Sequence, residues 1–311
     1  MKVGIIGAGA VGSACLLSLA MRGPACEIVV INRNRERAKG VVTDLQYGAT
    51  LLPPVNLRAG DYGDLAEAAL VMITAGVNEK AGGATDRNDP KGRLKLLDAN
   101  AEVYRDIVPQ IVAAAPNATI MVITDPPDPL ADLTRKLAGH DHVLSTGTFL
   151  DTLRFRFHLS RRLGIHPMSV DAQVVGEHGT SQVFLWSSAK VAGASVADVI
   201  AEAKQPFDQL RKEVESEVRY ANITIIEGTG ASQYGIGMVS ARLAEAILRD
   251  EHAVMPVSSF NPEYGVSLAL PSVLGRRGVE RILRPEMSAQ EREGLQRSAD
   301  ALRVAIAHLN V

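Results

Sequence analysis

Proton transfer near neutral pH needs a side chain that changes charge there, and imidazole, with an unperturbed pKa of about 6.5, is such a group. Of the seven histidines, His178 has the placement this chemistry asks for. It stands in Gly176-Glu177-His178-Gly179, a glycine-flanked loop between two β runs, where a side chain can project into a cleft. The others are placed differently: His140 and His142 flank a short turn, and His158 and His308 lie in helical stretches. His166 precedes Pro167, and His252 sits in a charged turn. A lone histidine is more often structural than catalytic, so His178 by itself marks a position rather than a reaction.

A second chemistry-bearing pattern is Gly7-Ala8-Gly9-Ala10-Val11-Gly12, which follows an apolar strand and opens a helix. That is the context a dinucleotide-binding loop requires. The first glycine permits a tight turn, the second lets the backbone approach pyrophosphate, and the third packs helix on strand. Phosphate then lies against N–H groups at the positive end of the helix. About 20 residues beyond the last glycine, at the end of the second strand, an acid commonly bonds the adenosine ribose. Here Asn32 occupies that place, followed by Arg33, Asn34 and Arg35. Without the acid nothing repels a 2′-phosphate, and a guanidinium can pair with one. The expectation is NADP(H) ahead of NAD(H), although Asn also bonds a free ribose. The bland alternative is that Arg33, Arg35 and Arg37 form the solvated face of the next helix.

These residues must be positioned by a scaffold, and the first half of the chain supplies one. Short apolar runs at 3–6, 28–31, 55–59, 70–74, 118–123 and 143–145 alternate with helical patterns at 11–21, 35–45, 93–113 and 129–137. Alternation of this kind predicts an α/β fold with a Rossmann-type doubly wound parallel sheet, its ligands at the strand carboxyl ends. The second half predicts an α+β unit. A helix at 151–163 leads into β runs at 169–175 and 182–187, then helices at about 206–227 and 236–249. Runs at 254–260, 266–270 and 279–283 read as a second, antiparallel sheet. Ser288 and Glu291 form a capping box for a last helix whose Leu295, Leu302, Ile306 and Leu309 share a face. The expected division is a dinucleotide-binding domain over 1–146 and a substrate domain over 147–311.

Composition narrows the class. The chain of 311 residues is 46% hydrophobic but only 4% aromatic, which suits a sheet covered by helices. Its 33 basic and 35 acidic side chains give a net charge of −2, so no nucleic-acid or membrane partner is expected. Cys15 and Cys26 are too few for a disulfide framework, and a reducing, cytoplasmic location is the simpler expectation. No His/Asp/Glu cluster has metal-ligand spacing, so no metal is expected. Lys2 and the apolar run after it could pass for a signal peptide, but Gly4, Gly7, Gly9 and Gly12 fit a strand-loop-helix instead.

Taken in order, Gly7-Ala8-Gly9-Ala10-Val11-Gly12, Ile73-Thr74-Ala75-Gly76, Leu150-Asp151-Thr152-Leu153-Arg154-Phe155 and Gly176-Glu177-His178-Gly179 resemble the L-lactate/L-malate dehydrogenase family, with Tyr234-Gly235-Ile236-Gly237 adding to the match. The resemblance spans essentially the whole chain. It implies a hydride transfer between NAD(P) and a small 2-hydroxy/2-oxo acid, a carboxylate substrate, and a homodimer or homotetramer. It makes His178 the proton donor and acceptor, Asp151 the holder of its other ring nitrogen, and Arg154 the fork that grips the substrate carboxylate. Arg93 becomes the mobile-loop arginine that polarises the carbonyl. Gly76 joins the cofactor site, and Ser232 lines the substrate pocket.

Three features depart from that family. The stretch between Gly76 and Arg93 is about eight residues longer than expected, as lids and binding loops often are. Counting forward places Glu79 where the family reads the substrate's distal group with Gln or Arg, and counting back places Pro90 or Asp89 there; Arg87 or Lys91 could also be presented. Thr124-Asp125-Pro126 replaces the family's T-N-P, and an ionised aspartate only accepts, so Asp125 either is protonated or meets a substrate hydroxyl or ammonium. An ordinary turn aspartate is an equal alternative. Ser232, being small, leaves room for a larger substrate side chain, and an ordinary helix-start serine is an equal alternative. Two rival functions follow: a cofactor-binding sensor or scaffold without catalysis, and a dehydrogenase of another carboxylate.

Overall fold

The computed structural model describes residues 1–77 and 92–309. Its first half alternates strand and helix: β1 (Lys2–Ile6), α1 (Ala10–Arg22), β2 (Glu27–Ile31), α2 (Arg35–Ala49), β3 (Asn56–Ala59), β4 (Ala68–Ile73), α3 (Gly92–Ala114), β5 (Thr119–Val122), α4 (Pro127–Ala138) and β6 (Val143–Ser145). These strands pair in parallel in the order β6-β5-β4-β1-β2-β3. The chain steps outward from β1 to β3, returns to β4 on the other side of β1, and steps outward again. The direction reverses between β1 and β4, and there a crevice opens at the strand carboxyl ends.

A strand covered on both faces must be apolar at nearly every position, with alternate residues feeding different cores. Val3, Ile5, Ile28, Val30, Leu70 and Met72 enter the core under α1 and α2. Ile6, Val29, Ile31, Val71 and Ile73 enter the core under α3 and α4. Each such aliphatic side chain, fully buried, contributes roughly 1.5–3 kcal/mol, which fixes the strand ends against the helices that start just beyond them.

The second half comprises α5 (Phe149–Leu163), β7 (Val170–Asp171), β8 (Val174–Val175), β9 (Val183–Phe184), β10 (Lys190–Val191), β11 (Ala194–Ser195), α6 (Val196–Glu202), α7 (Phe207–Arg219), α8 (Ala221–Thr229), α9 (Tyr234–Leu248), β12 (Ala253–Asn261), β13 (Val266–Gly275), β14 (Gly278–Ile282) and α10 (Ala289–His308). The expected α/β class holds, and β12, β13 and β14 pair antiparallel. They are not a separate sheet, however. β12 meets β6 at Ser258 and Ser145, so the order runs β14-β13-β12-β6-β5-β4-β1-β2-β3, nine strands among the described residues. Uncovered, β6 would present unpaired backbone at a sheet edge. Hydropathy alternation says which face of a strand is buried but not which edge it covers.

Two smaller differences have similar causes. The helix expected over 206–227 is broken at Tyr220 into α7 and α8. Leu210, Val214 and Val218 keep a four-residue spacing, and the next buried residue, Ile223, comes five later, off the stripe. The β runs 169–175 and 182–187 shrink to the dipeptides β7, β8 and β9. By contrast, Ser288 and Glu291 do form the capping box of α10, and Leu295 and Leu302 are buried from it. α9 returns the second half to the first, packing on α1 so closely that a Cβ at Gly237 would lie 2.8 Å from Ala14. Among the described residues no helix is long and apolar enough to cross a membrane.

Candidate active site

The glycine loop is built as its spacing requires. Gly7 takes φ of 110°, and a Cβ on Gly12 would stand 2.0 Å from the Gly7 carbonyl oxygen, so neither position admits a side chain. Gly9 is different: a Cβ there meets nothing within 4 Å, and as the N-cap of α1 it caps no N–H with a side chain. The first turn of α1 therefore offers its N–H groups to open space, which suits a pyrophosphate. Asn32 braces this loop. Its Oδ1 accepts from the Ala8 N–H at 3.0 Å, and its Nδ2 donates to the Asn34 carbonyl at 2.9 Å. An ionised aspartate could accept but not donate, so the amide does what an acid cannot. Arg37 Nε donates to the Ala8 carbonyl at 2.8 Å, and Arg35 pairs with Asp61 at 3.0 Å on the surface. Arg33, Arg35 and Arg37 all line the cleft near Asn32.

His178 is held from several directions. The N–H groups of three successive residues each find a different element: Gly176 donates to Ala269 of β13 at 2.8 Å, Glu177 to Ser298 Oγ of α10 at 2.7 Å, and His178 to Asp128 Oδ2 of α4 at 2.7 Å. On the ring, Nδ1 lies 2.6 Å from Asp151 Oδ2. The other Asp151 oxygen accepts from Arg154 Nη1 at 3.2 Å. Asp151 and Arg154 share one face of α5, and α5 is laced to β8 through Thr148 and Thr152, which bond the backbone of Val174.

The electrostatics fix a tautomer. Burial alone would raise the Asp151 carboxyl, but the His178 and Arg154 charges and hydrogen bonds outweigh it and hold the group below the usual carboxylate range. Asp151 is thus an acceptor, Nδ1 carries the proton, and His178 lines the cleft. A cleft of about 1340 Å³ joins the two regions across the carboxyl ends of β1 and β4. Gly7, Gly9, Asn32, Arg33 and Gly76 line it toward the glycine loop; Asp125, Arg154, His178 and Ser232 line it at the other end. Gly12 lies behind the loop, and Asp151 is buried behind His178. The Arg93 side chain lies outside the described residues, as do Glu79, Arg87, Asp89, Pro90 and Lys91 of the long loop.

Two polar residues escape a reading of the sequence. Asp128 is fully buried, takes Ser145 Oγ at 2.8 Å as well as the His178 N–H, and has its carboxyl pushed up to about 6 by that burial. Asn100 is buried on α3, accepts the Val77 N–H at 2.6 Å and donates to the Asp125 carbonyl at 2.7 Å, so it ties the exit of β4 to the turn after β5. Asn100 carried a signal, a polar residue among Leu96, Leu97, Val103 and Tyr104 on its helix face, whereas Asp128, with Asp125 and Asp132 beside it, carried none. Trp186 is core, edge-on to Phe155 and Phe207. Folding also assembles a group that spacing could not show: ligand atoms of Asp250, His252 and Glu280 lie within 4.8 Å of one another. His252 pairs with Glu280 there at 3.1 Å, and Asp250 accepts from the Arg276 N–H.

The sequence models of the lactate/malate dehydrogenase NAD-binding domain and of its alpha/beta C-terminal domain match residues 1–144 and 148–310. The chain is 42% identical to the L-lactate dehydrogenase of Chloroherpeton thalassium over 100% of both sequences. It is 43% identical to that of Thermus aquaticus over 99% of each. A solved lactate dehydrogenase from a Medee basin deep-sea metagenome library superposes with a TM-score of 0.92 at 33% identity, covering 100% of this chain and 99% of that one.

Proposed function

The chain belongs to the lactate/malate dehydrogenase family, and from that premise we propose that it interconverts a small 2-oxo acid and its 2-hydroxy acid with a nicotinamide cofactor. The named relatives make the L-lactate/pyruvate pair the first substrate to try. In this reading residues 1–146 hold the cofactor and 147–311 supply the substrate side of the cleft. The observation that carries it is the bonded set Asp151–His178, with Arg154 beside it, facing the same cleft as the open glycine loop.

When bound, the nicotinamide supplies or accepts the hydride. The chain's own residues handle the proton and the charge. During reduction His178 Nε2 gives a proton to the carbonyl oxygen, and during oxidation it takes one from the hydroxyl. Asp151, ionised and bonded to Nδ1, stabilises the imidazolium and keeps the ring aimed; general acid–base help of this kind is worth about 10²–10⁴ in rate. Arg154 grips the substrate carboxylate with two of its N–H groups and so fixes which face of the carbonyl meets the hydride. Arg93 polarises the carbonyl as negative charge develops. Asp125 and Ser232 face the remaining substrate groups, and Asp125 favours a hydroxyl or ammonium there over a second carboxylate.

For the cofactor the reading is NADP(H) ahead of NAD(H), because no carboxylate stands at the end of β2 and Arg33 lines the cleft beside it. Because of the long loop and Asp125, specificity for plain lactate or malate does not follow from family membership alone. Association of copies is supported by apolar side chains left exposed on the packed pair α1 and α9: Leu17 and Met21 on one, Tyr234 and Met238 on the other. A cytoplasmic site of action completes the reading. The test is oxidation of NADPH and NADH by purified protein across 2-oxo acids from pyruvate and oxaloacetate to branched and aromatic ones. Turnover on one side-chain class is expected; tight cofactor binding with no turnover on any acid would sink the proposal.

A further inference from the structure

Asp128 is a costly residue with no place in the relay described above. Its side chain is fully buried, and both carboxylate oxygens are used, one by Ser145 Oγ and one by the backbone N–H of His178. The neighbouring tethers of the same loop end on neutral groups, the Ala269 carbonyl and Ser298 Oγ. A neutral acceptor would hold the His178 N–H as well, and burying a charge to do it is unfavourable. A carboxylate in this place is explained if its charge acts on the histidine. We infer that Asp128 is a second positioning residue for His178, holding its backbone and adding negative field to its ring, while Asp151 holds the ring through Nδ1. The inference rests on the proton-transfer role given to His178 above.

The groups around this carboxylate can be named. His178 and Glu177 face it from the β8–β9 loop, and Ser145 from β6. Asp151 and Arg154 on α5 reach it through the imidazole. One turn along α4, Asp132 is turned away to Ser267 of β13. Ionised, Asp128 stabilises the imidazolium and accepts strongly from the loop; protonated, it does neither. Reduction needs protonated His178, so activity falls as pH rises through the histidine. A second fall comes as pH drops through about 6, where Asp128 takes up a proton.

Asp128→Asn keeps the shape and an acceptor oxygen but removes the charge. Two readouts apply: the imidazole NMR titration of His178 in protein without substrate, and kcat for oxo-acid reduction against pH. The expected results are a His178 titration moved to lower pH, a kcat lowered about tenfold or more near neutrality, and loss of the acid-side fall. Cofactor Kd should stay within about twofold, since the glycine loop is untouched. An unchanged titration and an unchanged pH profile would overturn the inference. Ser145→Ala keeps the carboxylate and removes one hydrogen bond that stabilises it, so the acid-side fall should move to higher pH; should Asp128→Asn fail to fold, the absence of that shift overturns the inference instead. Lack of turnover by the unmodified protein would contradict the functional reading, while the NMR titration still decides the role of Asp128.

Discussion

The two ends of the cleft are built in opposite ways. The glycine-loop end is local: Gly7, Gly9, Gly12, Asn32 and Arg37 fall within one β1–α1–β2–α2 unit, and its bracing bonds link residues 24 and 29 apart. The His178 end is assembled from a distance. Its ring partner is 27 residues away, and its backbone tethers come from 50 and 121 residues away. A local site tolerates only small residues at fixed positions and needs little else. A site gathered from α4, α5, α10 and β13 depends on buried polar groups meeting after the whole chain has folded, so loss of one partner leaves another unsatisfied.

That contrast makes changes at the two ends separable. The largest effect is expected from Asp151→Asn, which keeps the side-chain shape but no longer enforces the Nδ1–H tautomer. Its kcat should fall by about 10³-fold with cofactor affinity unchanged, as stopped-flow and fluorescence titration would show. Equal loss of cofactor binding would mean the two ends are not separable. Next, Arg154→Gln should raise KM for the oxo acid about 10²-fold, because a charged fork is replaced by a neutral donor; an unchanged KM would remove Arg154 from carboxylate binding.

Acid unfolding sharpens the comparison within the His178 end. The folded-state carboxyl of Asp151 is depressed, so its contribution is present above the ordinary value of 3.8 and is lost as pH falls through its lower folded value. Asp128 runs the other way. Its folded value is raised to about 6, so stability declines as pH rises from 3.8 through that value, by about 3 kcal/mol, and is level above it. Urea unfolding of Asp128→Asn should therefore lose a decline between about pH 4 and 6 that the parent shows. An identical dependence in both would contradict the burial argument. The smallest effect belongs to the other end: Arg33→Ala should lower the NADPH-to-NADH preference about tenfold or less without altering kcat, and an unchanged ratio would return Arg33 to the solvated surface.

How much of this was legible in the sequence follows from the same contrast. The glycine loop and the strand-helix alternation could be read directly, since each is a short-range pattern with a steric cause. Asn32 was seen as the missing acid, but its work in bonding Ala8 and Asn34 was not, because that needs the fold of the loop. Likewise Arg37, one of three arginines in a run, turned inward to the Ala8 carbonyl. His178, Asp151 and Arg154 were placed together through family resemblance, and the structure adds that Asp151 and Arg154 share one face of α5. Asp128 and Asn100 were missed because their partners lie far along the chain. The attachment of β12 to β6 was missed for a like reason, an edge being covered by whichever strand the packing of α9 delivers.

The central claim, that proton transfer resides in His178 and is separable from cofactor binding, is tested most directly by His178→Asn. Oxidation of NADPH and NADH with the best oxo acid would be measured beside a fluorescence titration of each cofactor. The account predicts turnover reduced by about 10³-fold or more with both dissociation constants within about twofold of the parent. Turnover kept within about tenfold of the parent, or lost only because the cofactor no longer binds, would contradict it.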